Sequence, residues 1–143
     1  MLKPDYVVGL TDGEGSFTVF IRDPDKKSAK IKRRAVAEPK FYLKLIEKDK
    51  EILYELQRFF DCGKVYFQKD SRPNHQNCYR YEVVRRSDLE KIIIPFFRRY
   101  QLKLNSKRKD FKLFADLLKR IQKGEHLNES GLRKLFNLKR LMH

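Results

Sequence analysis

The sequence predicts an α+β fold with elements in the order α-β-β-α-β-β-α-α-α. Three observations carry this. Four short segments alternate apolar and polar residues with period two, the mark of half-buried strands. Amphipathic stretches of helical spacing precede, separate and follow them. The chain has 143 residues with 11 Phe and 7 Tyr, enough to bury one aromatic-rich core in a single domain spanning residues 1–143.

Tyr6 to Asp12 reads as a short helix, with Pro4 or Asp5 as an alternative start. Ser16 to Arg22 puts Ser16, Thr18, Phe20 and Arg22 on one side of a strand and Phe17, Val19 and Ile21 on the other. Asp23-Pro24-Asp25 breaks it. Lys26 to Arg34 is dense in Lys and Arg and reads as a long hairpin tip. After Pro39 a second strand sets Lys40, Tyr42 and Lys44 against Phe41, Leu43 and Leu45. Glu47 to Phe60 is an amphipathic helix ended by Asp61-Cys62-Gly63. Lys64 to Lys69 and Cys78 to Arg85 form the third and fourth strands, joined by a polar turn. Ser87-Asp88-Leu89-Glu90 has capping-box spacing and opens a helix in which Pro95 should force a kink or a break. Asn105 or Ser106 caps a long helix through Gln122, and Gly124 stops it. A last helix runs from near Asn128 towards Leu141.

The formal charge of +15 exceeds what solubility requires and implies a polyanionic partner. No apolar run approaches the ~18–20 residues that span a bilayer. Met1-Leu2-Lys3-Pro4 has no signal-peptide character, so an intracellular setting is expected and a membrane is not. Cys62 and Cys78 are too few for a disulfide scaffold or a thiolate zinc site, and read as free thiols. His75, His126 and His143 lack ligand-like spacing and read as surface or loop residues.

The most informative stretch is Val7-Val8-Gly9-Leu10-Thr11-Asp12-Gly13-Glu14-Gly15, directly before the first strand. Gly9 and Gly13 share one helix face, and small residues at this spacing let a second helix approach closely. Two carboxylates, Asp12 and Glu14, close the run. This stretch resembles the signature of the LAGLIDADG homing endonucleases, with both spaced glycines, the final glycine and both acidic positions in place. The element order is similar to that family's core over roughly residues 5 to 123, with 124–143 a helical extension. The resemblance implies a saddle-shaped antiparallel sheet, backed by helices, whose concave face takes double-stranded DNA. It also implies, from the single motif copy, a homodimer joined through Gly9, Asp12 and Gly13 and a near-palindromic target.

By the same resemblance Glu14 and the carbonyl of Gly13 hold a divalent metal, Mg²⁺ or Mn²⁺/Ca²⁺ as substitutes, while Asp12 is structural. Glu14 stands where Asp is commoner in the family. Glu47 occupies a position where relatives carry a polar residue that orients water; it would equally suit the first turn of its helix as a carboxylate. Four residues on, where some relatives are basic, stands Glu51. One lysine near the start of the long helix should approach the active site, either Lys107 or Lys103.

Period-two alternation assigns the DNA-facing residues: Ser16, Thr18, Phe20 and Arg22; Lys40, Tyr42 and Lys44; Lys64, Tyr66 and Gln68; Arg80 and Glu82. Lys30, Lys32 and Arg34 at the hairpin tip would track the outer half-site through phosphates. The expected function is a sequence-specific, metal-dependent endonuclease of intron homing. The alternatives are a maturase that binds intron RNA and a DNA-binding regulator without cleavage. Glu14 argues against the regulator, because a carboxylate beside phosphates weakens simple binding.

Overall fold

The computed structural model describes residues 1–26 and 36–143. Lys30, Lys32, Arg34 and the hairpin tip they occupy lie outside the described residues. Helix α1 (Pro4–Glu14) leads without a loop into β1 (Gly15–Ile21). Strand β2 (Ala37–Ile46) and a 3-10 turn (Glu47–Asp49) precede α2 (Lys50–Phe60). Strands β3 (Lys64–Gln68) and β4 (Cys78–Val83) follow. Then come α3 (Arg86–Asp88), a π turn (Leu89–Ile93), α4 (Ile94–Arg99), α5 (Asn105–Gln122), a 3-10 turn (Glu125–Leu127) and α6 (Glu129–Lys139). The four strands form one antiparallel sheet in the order β1-β2-β4-β3.

Alternation decides which face is covered. Phe17, Val19, Ile21, Phe41, Leu43, Tyr81 and Val83 are buried, and the helices pack over them. Phe17 is the hub: its ring lies 5.1–5.5 Å from those of Phe41, Phe97, Phe111 and Phe114, which ties β1 and β2 to α4 and α5. Leu132 and Leu135 of α6 belong to this same core.

Strand β2 begins before Pro39, earlier than the proline suggests. Pro39 pairs with Val19 on β1, whereas the β2–β4 ladder starts only at Phe41. At Pro39 the strand is thus paired on one side only, so the missing N–H leaves no ladder bond unmade. The helix at Arg86 does not use the expected capping box: Ser87 lies inside the helix, and Glu90 Oε2 instead accepts from Gln122 Nε2 at 2.9 Å. Pro95 is accommodated without a break. The π turn immediately before it widens the helix where the ring would otherwise meet the preceding carbonyls. Gly124, with φ of 80°, ends α5, and the Asn128 side chain accepts from Gly131 N–H at 2.7 Å to start α6. Cys62 and Cys78 are free thiols.

Candidate active site and nucleic-acid interface

The α1–β1 junction is tight because of one glycine. A Cβ on Gly15 would lie 2.6 Å from Thr11 Cγ2 and 2.9 Å from its carbonyl oxygen. No larger residue lets the chain pass from helix to strand at this corner. Val7, Val8 and Thr11 bury the inner side of α1. Its outer side carries Gly9 and Gly13, where a Cβ would meet nothing within 4 Å, and Tyr6, which is 49% exposed.

The two carboxylates at the junction have separate environments. Asp12 turns inward along the chain: its Oδ2 accepts from Lys103 N–H at 2.9 Å and its Oδ1 from Leu104 N–H at 3.3 Å. Leu104 is the residue that caps α5, and its own side chain cannot do so. Asp12, from the other end of the chain, instead fastens the two residues that lead into α5, while Asn105 and Ser106 lie within the exposed first turn and no side chain caps the helix. Glu14 is exposed, and among the described residues its side chain takes part in no hydrogen bond or ion pair. Gly13 is likewise exposed.

Seating α5 on Asp12 also places its first turn. Lys107 Nζ donates to the carbonyl of Gly15, the residue next to Glu14. Lys103 contributes its backbone to Asp12 while its side chain is exposed. The structure thus gives the Lys107 side chain a direct contact at the junction, whereas Lys103 touches it through its backbone. Glu47 opens the 3-10 turn beyond β2, four residues past Leu43, which pairs with Gly15. It is exposed, and its N–H donates to Asn77 O at 3.1 Å.

The uncovered sheet face carries the side chains that alternation assigned to it. Ser16, Thr18 and Phe20 face outward on β1, and Lys40, Tyr42 and Lys44 on β2. Lys64, Tyr66 and Gln68 lie on β3, Arg80 and Glu82 on β4. Their register forms rows: Ser16–Tyr42–Glu82–Lys64, then Lys44–Arg80–Tyr66. Arg22 lies just past β1, where its Nη1 donates to Lys26 O at 3.4 Å. Glu38, paired with Phe20, is an exposed member of this face that reading the strand from Pro39 onward left out. Arg80 sits over the Tyr42 ring at 3.6 Å, and Glu82 Oε1 is 3.2 Å from both Arg80 Nη2 and Lys40 Nζ. Burial, with Glu82 a lesser contributor, pushes the Tyr66 phenol up from its ordinary value.

Residues 7–118 match the LAGLIDADG endonuclease family profile. The chain belongs to that family. Two curated relatives illustrate the likeness. The probable intron-encoded endonuclease 2 of Neurospora crassa is 30% identical over 94% of this chain, and the probable intron-encoded DNA endonuclease 1 of Mycosarcoma maydis is 33% identical over 78%. The matched regions are 28% and 35% of those proteins, so the chain spans about a third of their length or less. Among solved structures, the homing endonuclease I-TnaI superposes with a TM-score of 0.81 at 35% identity, over 99% of this chain and 88% of that one. The LAGLIDADG endonuclease I-SmaMI bound to cleaved DNA gives a TM-score of 0.83 at 33% identity, over 100% of this chain and 44% of that one. The four-stranded sheet and its helices are the LAGLIDADG architecture.

His126 departs from the surface placement expected of it. It is buried within the 3-10 turn before α6, and burial together with nearby Arg86 pushes its imidazole below the ordinary value. No local sequence signal distinguishes such a turn from an exposed one. Among the described residues no helix is long and apolar enough to cross a membrane.

Proposed function

We propose that the chain is the DNA-reading and DNA-cutting unit of a sequence-specific, divalent-metal-dependent endonuclease of intron homing, acting as a homodimer on a long near-palindromic site. The observation that carries this reading is the α1–β1 junction. An uncommitted exposed carboxylate, Glu14, lies one residue from the carbonyl that Lys107 holds, at the start of the strand whose outward face continues into a basic, polar sheet.

The donor set fits a hard cation. Glu14 offers a carboxylate and Gly13 a carbonyl, and among the described residues one copy assembles no group of three or more His, Cys, Asp or Glu side chains. Mg²⁺ suits such sparse provision, since it keeps several waters and takes remaining ligands from substrate phosphates. One of the solved I-SmaMI complexes contains uncleaved DNA in the presence of calcium ions. When bound, a divalent cation supplies activation of water and charge neutralisation at the scissile phosphate. Lys107 adds fixed positive charge beside the phosphate, and Glu47 orients water from the end of β2. The open Gly9–Gly13 side of α1 receives the same face of a second copy, which brings two Glu14 carboxylates to neighbouring phosphates of opposite strands.

The test is cleavage of a randomised duplex library in Mg²⁺ by the wild type and by Glu14→Gln. One long near-palindromic site, bound by both and cut only by the wild type, is the expected result. Equal cleavage by both proteins refutes the placement of the metal at Glu14. Enrichment of structured RNA without DNA cutting makes the chain a maturase instead.

A further inference from the structure

We propose that Arg80 reads one guanine in each half-site and that Tyr42 and Glu82 are the residues that position it. The proposal rests on the DNA-endonuclease reading above and names part of its target.

Arg80 stands near the middle of the uncovered face, between Lys44 on β2 and Tyr66 on β3. Most exposed arginines are mobile, but this one is held from two sides. Its guanidinium lies over the Tyr42 ring at 3.6 Å, and its Nη2 lies 3.2 Å from Glu82 Oε1. Both are diagonal or same-strand neighbours on the pleated surface, so the strand register itself maintains them. As a result the Arg80 side chain is only 17% exposed, on a face that has no helix over it.

The Glu82 contacts are ion pairs rather than well-aligned hydrogen bonds: its Oε1 approaches two cations, yet accepts no hydrogen bond of good geometry among the described residues. Arg80 Nε is also buried without a hydrogen-bond partner among them. The ring stack and the ion pair thus hold a planar fork in place before any ligand arrives, which lowers the ordering cost of binding.

The chemistry of the ligand follows from the fork. A guanidinium stacked on one face and charge-paired with a carboxylate still has Nη1 and Nη2 hydrogens to donate side by side. Guanine O6 and N7 in the major groove accept such a pair. A phosphate contact would need only the charge, which the freely exposed Lys64 beside it supplies more cheaply. Glu82 reinforces the distinction. One carboxylate shared by Lys40 and Arg80 lowers the local positive charge, so it weakens attraction to any duplex while fixing the geometry that suits one base pair.

The experiment compares the sites recovered from a randomised duplex library by the wild type, Arg80→Lys and Glu82→Gln, together with the salt dependence of binding to random-sequence duplex. The wild type should show one guanine per half-site preferred roughly tenfold or more. Arg80→Lys keeps the charge and loses the fork, so that preference should vanish with the salt slope unchanged. Glu82→Gln should relax the same position and steepen the salt slope by about one, as a cation is released to phosphates. If Arg80→Lys retains every base preference of the wild type, Arg80 is no reader and the proposal fails while the endonuclease reading stands. If Glu82→Gln alters neither preference nor slope, its positioning role is refuted. A wild type that enriches no site overturns the endonuclease reading, and this inference with it.

Discussion

Replacing Asp12 with alanine should lower the melting temperature by about 6–8 °C, although the residue carries no chemistry of its own. The estimate starts from geometry. One carboxylate satisfies the N–H groups of Lys103 and Leu104 at the start of α5, at 2.9 and 3.3 Å. Hydrogen bonds to a charged group contribute about 1.5–3 kcal/mol. Partial solvent exposure of the carboxylate keeps the total to about 2 kcal/mol. For a chain of this size, 1 kcal/mol moves the midpoint by roughly 3–4 °C. Asp12→Asn keeps an acceptor oxygen without the charge and should lose about half as much. The assay is thermal unfolding followed by circular dichroism for the three proteins. Because α5 carries Lys107, cleavage should also fall in Asp12→Ala well below its melting point. A midpoint within about 1 °C of the wild type would show that α5 is seated by its apolar face alone, and would refute the role given to Asp12.

Three further outcomes follow from the same structure. Lys107→Ala should lower the cleavage rate about 10²–10³-fold in single-turnover assays, the scale for removing one charge-stabilising donor, whereas Lys103→Ala should change it little. Gly9→Leu should leave the folded unit intact, since nothing in one copy occupies that space, yet abolish the dimer in sedimentation velocity; a stable dimer would move the interface elsewhere. The depressed His126 imidazole makes stability fully present above the ordinary value of 6.5, and it declines as pH falls below that towards the native value, where only the unfolded chain binds the proton. His126→Gln should flatten this decline in melting temperature, and an unchanged pH profile would rule the residue out as its source.

What could be read from the sequence, and what could not, divides along range. The faces of β1, β2 and β4 follow from period-two alternation, a local property that survives folding because one side must be buried. The α1–β1 corner was legible for the same reason, since Gly13-Glu14-Gly15 has few other uses before an alternating run. The seat of α5 was not. Asn105 and Ser106 carry the local signature of a cap, but the helix begins without a side-chain cap, and Asp12, 91 residues away from Lys103, ties down the segment that leads into it. Ser87 and Glu90 show the converse case. Their spacing suggests a cap at Ser87, yet the cap position falls two residues earlier, at Arg85, and Glu90 finds Gln122. At the candidate site, the residue types were readable, whereas the sharing of Glu82 between Lys40 and Arg80 depends on diagonal distances that only the register supplies.

That register also acts as a ruler. Successive outward rows on the sheet are two residues apart, about 7 Å at strand rise, and a duplex advances about 3.4 Å per base pair. With strands lying along a major groove, neighbouring rows face every second base pair. From Ser16 to Phe20, β1 covers roughly 14 Å, or about four base pairs. The protein would then sample its target at an interval set by the pleat, with demanding positions opposite the rows and more permissive ones between them. An endonuclease acting as proposed would then keep cutting a target altered only at the permissive letters.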